Sequence, residues 1–229
     1  MSEPADVTAV FGGIADDIAI IQDDDGGVWI PSLSINTLGT LQPGAGYQLF
    51  NDGEDDIVFL YPEYNPQLMK RSVLAQKQIS APEHFPFAQT GLPYTIVINS
   101  ATMDGQEFAD GDEIGVFGSE LCVGAGVYQR GKPIVISAWK GDEKLGIPGY
   151  RAGEPLTFKA FSKRFTREFE LSAEYARPEQ GRFEGAAYAV VRLTGQPGLL
   201  PERYALHQNY PNPFNSRTVI PYDVRTKRR

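Results

Sequence analysis

Five carboxylates crowd the stretch DGQEFADGDEIG: Asp104, Glu107, Asp110, Asp112 and Glu113 fall within ten residues. Oxygen donors on a glycine-bearing loop are what calcium asks for, because a hard cation needs several such ligands around a tight turn. The D-G-D-E spacing departs from the twelve-residue, helix-flanked calcium loop, and no helix is expected on either side. Two readings therefore stand: a calcium site, which is the one cofactor the sequence suggests, and turn acids in a solvated hairpin. The same choice applies to QDDDGG and NDGEDD.

Other chemistry has thinner support. A carboxylate-dependent hydrolase needs two opposed acids, one of them in a pocket that raises its pKa. Asp110, Asp112, Glu113, Asp142 and Glu154 supply the residue type, but spacing alone does not oppose them. His84 and His207 are the only histidines, each beside prolines. The chain has no GxSxG, no HExxH and no phosphate-cradling glycine loop ahead of a helix. A sugar-binding platform would use flat aromatic faces with polar edges. Its candidates are Trp139 and Tyr150, joined by KGDEKLGIPG, with Tyr128, Trp29 and Phe117; the alternative places one Trp in the core. Cys122, in ELCVGAG, reads as a small buried hydrophobe.

The elements that must position these residues are strands. IAIIQ-DDDGG-VWI and GYQLF-NDGEDD-IVFLY are β-rich runs around Asp-Gly punctuation, since glycine and asparagine tolerate the positive φ of tight turns. Between 91 and 195, YTIVINS, EIGVFG, LCVGAGVY, PIVISAW, LTFKAFS, RFTREFELS and AAYAVVRL recur at the spacing of an antiparallel sandwich. In RFTREFEL the period of two puts Phe165, Phe169 and Leu171 on one face, whereas TIVIN is apolar on both faces, as in a central strand. The glycines of VGAGVY lie in a strand context, where they mark a bulge or close packing. The fold class expected is all-β: an antiparallel β-sandwich at 91–195, a smaller β-rich module at 1–62, and a linker at 63–90 with a short helix over Gln67 to Gln78. Residues 196–229 form a separate end.

Charge sharpens that last boundary. The chain of 229 residues carries a net −8. From Pro201 onward six basic residues face two acidic ones, a balance of +4 that leaves −12 for the remainder. An acidic body argues against a nucleic-acid partner. No apolar run is long enough to span a membrane, and the start, MSEPADVTAVFGG, lacks the n-region and h-region of a secretory signal.

The end carries a specific motif. LPERYALHQNYPNPFNSRTVIPYDV closely resembles the opening of the type IX secretion C-terminal sorting domain of the Bacteroidetes group. The matching positions are Leu200, Pro201, Leu206, Gln208, Asn209, Tyr210, Pro211, Asn212, Pro213, Phe214, Asn215, Thr218, Ile220 and Tyr222. The family's pattern continues with several more strands where this chain has only RTKRR, so the sorting module reads as cut after its first strand. The two upstream segments resemble β modules that commonly precede this signal. The resemblance implies the C-terminal excerpt of a secreted, cell-surface multidomain protein, handled by the secretion machinery through its tail.

The sequence thus points to a non-catalytic spacer or adhesive region. Its rivals are a carbohydrate-binding module that takes polysaccharide on the 91–195 sandwich, and a hydrolase at the acidic loops. Open β edges add self-association as a further expectation.

Overall fold

The structure is a computed structural model, and it describes residues 3–53, 56–60, 81–195, 205–206 and 222–223. The all-β class holds: the only α-helix among the described residues is α1, Val7–Phe11, capped by the Asp6 carboxylate, which accepts from the Thr8 and Ala9 amides. Strands β1 (Ala5–Asp6) and β5 (Thr40–Leu41) pair beside it. Strands β2 (Ile18–Asp23), β3 (Val28–Ile30), β4 (Ile35–Asn36) and β6 (Tyr47–Asn51) form a small antiparallel sheet in the order β4-β3-β2-β6.

The larger sheet holds β7 (Pro93–Met103), β8 (Gln106–Glu107), β9 (Glu113–Gly118), β10 (Leu121–Val127), β11 (Ile134–Trp139), β12 (Leu156–Ser162), β13 (Arg167–Tyr175) and β14 (Ala189–Gly195). Its order is β10-β9-β12-β13-β14-β7-β11, with β8 folded back on β7. All its pairs are antiparallel except the first and last long strands: β14 runs parallel to β7, with a register shift at Val191/Arg192. The sheet curls until its two ends meet. A Cβ at Gly124 of β10 would lie 2.4 Å from the Ser137 carbonyl of β11, so only glycine allows this approach. Next to it the register shifts between Cys122 and Gly124, so the glycine run marks both a bulge and a close contact. Inside the curl, Ile96, Ile98, Ile114, Val116, Phe158 and Leu193 form the main core.

The outer face of β7 is also covered, which is why TIVIN reads as apolar on both sides. Ile96 and Ile98 point inward, while Val97 joins Ala19, Ile20, Val28, Ile30 and Ile35 of the small sheet in a second cluster. The other face of the small sheet is closed by Val7, Phe11 and Leu41, against Ile18, Ile21 and Trp29. Strand β2 is therefore buried on both faces. A register shift between Ile18 and Ile20 lets Ile18 and Ile21 serve one face and Ile20 the other.

One strand departs from its sequence pattern. β13 begins at Arg167, so Phe169 and Leu171 are buried as expected, but Phe165 falls in the preceding turn. No helix among the described residues is long and apolar enough to cross a membrane. The helix expected over Gln67 to Gln78 lies outside the described residues. Residues 1–195 form one compact unit and 196–229 another. In the second, β15 (Ala205–Leu206) pairs antiparallel with β16 (Tyr222–Asp223). The motif positions Gln208 to Asn215 lie outside the described residues.

Because the two sheets share a buried cluster, Ile20→Ala should cost about 2–5 kcal/mol and both sheets should melt together. Chemical denaturation followed by tryptophan fluorescence and by far-UV dichroism should give one coincident transition. Two separated transitions would show that the sheets fold independently.

Candidate functional site

Five of the acids highlighted by the sequence accept from backbone amides. Asp112 is 3 % exposed and accepts from the Ala109 and Lys163 amides at 3.0 Å each. Glu113 is 1 % exposed and takes the Glu83 and His84 amides at 3.1 and 2.8 Å. Asp110 accepts from the Arg130 amide at 2.6 Å. Asp142 accepts from Lys144 and Leu145. Glu154 accepts from the Arg151 amide and the Ser119 hydroxyl. Glu107 pairs with Arg130 at 3.5 Å, and Asp104 occupies a left-handed turn position. The carboxylates of Asp110, Asp112, Glu113, Asp142 and Glu154 thus satisfy turn or loop amides that strands leave open. Asp104, Glu107, Asp110, Asp112 and Glu113 do not converge, and among the described residues no three His, Cys, Asp or Glu side chains form a metal-ligating group.

The proposed aromatic platform also dissolves into the interior. Trp139, Tyr150, Tyr128 and Trp29 are 2 %, 2 %, 4 % and 6 % exposed, and Phe117 is buried as well. Trp139 is covered by the β2–β3 turn: its Cη2 lies 3.6 Å from where a Gly26 Cβ would stand. Gly26 has φ +87°, and the Ser137 hydroxyl reaches its carbonyl at 3.2 Å. Trp29 belongs to the cluster under α1, and Tyr128 meets Phe108 edge-on at 6.0 Å. These rings have no open face for a sugar. The correction comes from the small sheet, whose docking position no local pattern reveals.

Tyr150 nevertheless reaches a site through its hydroxyl. A cleft of about 860 Å³ opens where the small sheet meets the start of β7. Gln22 and Gln48 come from β2 and β6, Leu92 and Tyr94 from the entry to β7, Lys140 and Asp142 from the loop after β11, and Glu184 from the turn before β14. Phe50 and Leu92 form an apolar rim, 37 % and 40 % exposed.

Hydrogen bonds fix this lining. Gln22 is buried; its Nε2 donates to Gln48 Oε1 at 2.8 Å and to the Pro93 carbonyl at 3.0 Å, while its Oε1 accepts from Thr95 Oγ1 at 3.0 Å. Gln48 therefore presents its own amide N–H groups to the cleft. Glu184 has φ +60°, a strained value for a side-chain-bearing residue. Its carboxylate is held by Lys140 Nζ at 2.8 Å and by the Tyr150 hydroxyl at 3.1 Å. Tyr150 stacks on Phe183 with centroids 4.2 Å apart. Gln48, Lys140 and Glu184 carry no motif, and the sequence offered no signal for them: they come from segments far apart in the chain.

Electrostatics follow burial. Burial, and then the nearby Glu184 carboxylate, hold the Tyr150 hydroxyl far above the ordinary tyrosine range. Burial raises Tyr94 likewise, partly offset by the Ala186 backbone; its hydroxyl is enclosed and lacks a well-formed hydrogen bond. Burial pushes Tyr175 up to about 12. Burial also raises Asp23, partly offset by the Gly27 and Asp25 amides, and it raises the Cys122 thiol.

Two expectations follow. A group whose folded pKa exceeds its unfolded value contributes stability below the unfolded pKa and loses it as pH rises. Stability should therefore fall above pH ~10, and the tyrosinate absorbance of Tyr94, Tyr150 and Tyr175 should appear together with loss of dichroism; early ionisation in a folded sample would contradict their burial. Separately, since loop carboxylates already have backbone donors, melting temperatures in millimolar calcium and in chelator should agree within about 2 °C, a difference worth at most about 1 kcal/mol. A larger rise with calcium would restore the metal reading.

Compared with models of known protein families, with curated proteins and with solved structures, the chain matches none.

Proposed function

We propose that this chain is a non-catalytic accessory part of a larger secreted, cell-surface protein, and that its cleft holds an uncharged, hydroxyl-rich ligand such as a polysaccharide. The observation that carries the binding half is the pairing of the side chains that form the cleft's inner wall. Lys140 and Glu184 cancel each other, and Gln22 spends its amide on Gln48, Pro93 and Thr95. What remains for a ligand is the Gln48 amide, the outer hydrogens of Lys140, the loop side chains of Asp142, Glu143 and Lys144, and the apolar edges of Phe50 and Leu92. Amide and hydroxyl partners flanked by apolar surface suit sugar hydroxyls and C–H faces, and preorganised polar groups reduce the ordering cost of binding.

The non-catalytic half is supported by the acids. General acid–base chemistry needs a carboxyl free to exchange a proton with substrate. The acids at Asp110, Asp112, Glu113, Asp142 and Glu154 are all committed to backbone donors. Secretion and surface location rest on the resemblance of residues 200–222 to the type IX sorting motif. In that reading the tail addresses the secretion machinery and the β unit spaces or attaches what precedes it.

Affinity electrophoresis of the full chain against soluble neutral glucans and xylans tests the cleft. Retardation by at least one glycan is expected, with Gln48→Ala weakening it about tenfold, the scale of a lost hydrogen bond left unmade, while far-UV dichroism still reports a folded chain. Unchanged mobility of a folded sample across the panel would remove the carbohydrate reading and leave the spacer role.

A further inference from the structure

The turn joining β12 to β13 differs in chemistry from the rest of this acidic chain. Lys163, Arg164 and Arg167 lie within five residues, all exposed, and among the described residues they form no ion pair. Phe165 sits between them, 49 % exposed. Two guanidinium groups rest on rings: Arg164 Cζ lies 5.3 Å from the Phe165 centroid, and Arg167 Cζ lies 5.6 Å from that of Phe169. The two rings meet edge-on at 6.4 Å. A guanidinium lying on a ring keeps its N–H edge free while its rotamers are already restricted, which prepares it for planar, bidentate acceptors.

The turn is also held at its base. Ser162 and Arg167 close the β12–β13 ladder, and the Lys163 amide donates to the buried Asp112 carboxylate. The adjacent acid is already engaged: Glu168 bonds His84 Nε2 at 2.7 Å. Glu170 and Glu174 stay exposed further along β13, with no ion pair among the described residues.

We propose that this hairpin tip is a second binding surface, for a polysaccharide bearing carboxylates, with Phe165 as a shelf for a sugar ring and Arg164 and Arg167 as forks for the carboxylates. Charged forks beside an aromatic face match the alternation of acid and ring along a polyuronate. A lipid surface fits less well. Half of Phe165 is covered, so it is a shelf rather than a protruding wedge, and the two guanidinium groups are restrained where bilayer-seeking cations extend freely. The surface uses none of the cleft residues, so it stands or falls independently of the cleft.

The test is affinity electrophoresis of the full chain in gels containing polygalacturonate, with dextran as control. Retardation by polygalacturonate alone is expected, weakening as salt rises. The double variant Arg164→Gln/Arg167→Gln and the single variant Phe165→Ala should each weaken it about tenfold or more, the scale of lost charge-assisted bonds or ring contacts. Gln48→Ala should not. All three substituted side chains are exposed, so dichroism should be unchanged. The C-terminal Arg225, Lys227, Arg228 and Arg229 are the rival cations: retardation that survives the double variant assigns binding to them and overturns the proposal. So does an absence of retardation, or binding confined to phosphatidylglycerol vesicles.

Discussion

Everything in the first 195 residues depends on covering the outer face of β7. That strand is central and apolar on both sides, and a β face of Val97, Val135 and Val190 left in water would forfeit its burial. The small sheet supplies the cover with Ile20, Val28 and Ile30, all fully buried. Each such side chain is worth about 1.5–3 kcal/mol, so a few together rival the net stability of an ordinary domain. The small sheet is held by the same bargain. Strand β2 has no polar face to offer solvent, so it is stable only between the curled sheet and α1.

Apolar slabs alone would slide, because dispersion and hydrophobic burial are non-directional. Gln22 removes that freedom. Its buried amide would be left unsatisfied by a shift of one residue, and an orphaned buried polar group costs more than the bond contributes. Its links to Pro93 and Thr95 register the two sheets, and its link to Gln48 carries that register to the cleft wall. The Ser137–Gly26 bond pins the turn of the same hairpin. The cleft geometry is therefore a by-product of sheet docking.

This division explains what was legible in the sequence. Strands and hairpins were readable because the period of two and Asp-Gly turns are local. The two-sided burial of TIVIN was readable too, although the identity of its cover was not. Trp139 misled because exposure at a strand end is decided by what packs over it, here a turn more than a hundred residues earlier. Phe165 misled because β13 starts later than the pattern implied. Gln48, Lys140 and Glu184 left no trace, since their spacing in the chain bears no relation to their proximity. Glu184 even occupies a left-handed conformation that its residue type does not favour.

The acidic loops gain a physical role from the same geometry. A turn leaves amide N–H groups without ladder partners, and a carboxylate satisfies two at once with charge-assisted bonds. Asp112 and Glu113 do this from opposite directions: one fixes the base of the β12–β13 hairpin, the other ties residues 83 and 84 to the edge of β9. His84 extends the second tie by stacking on Phe161 at 3.7 Å, and Phe85 by packing edge-on to Phe117. Much of the negative charge is thus spent inward on holding loops still. Rigid loops around the cleft and under the hairpin tip lower the ordering cost that any ligand must meet. An acidic chain built in this way can still present a local cationic surface, because Asp112 beneath the hairpin tip is turned toward backbone amides and Glu168 is engaged by His84.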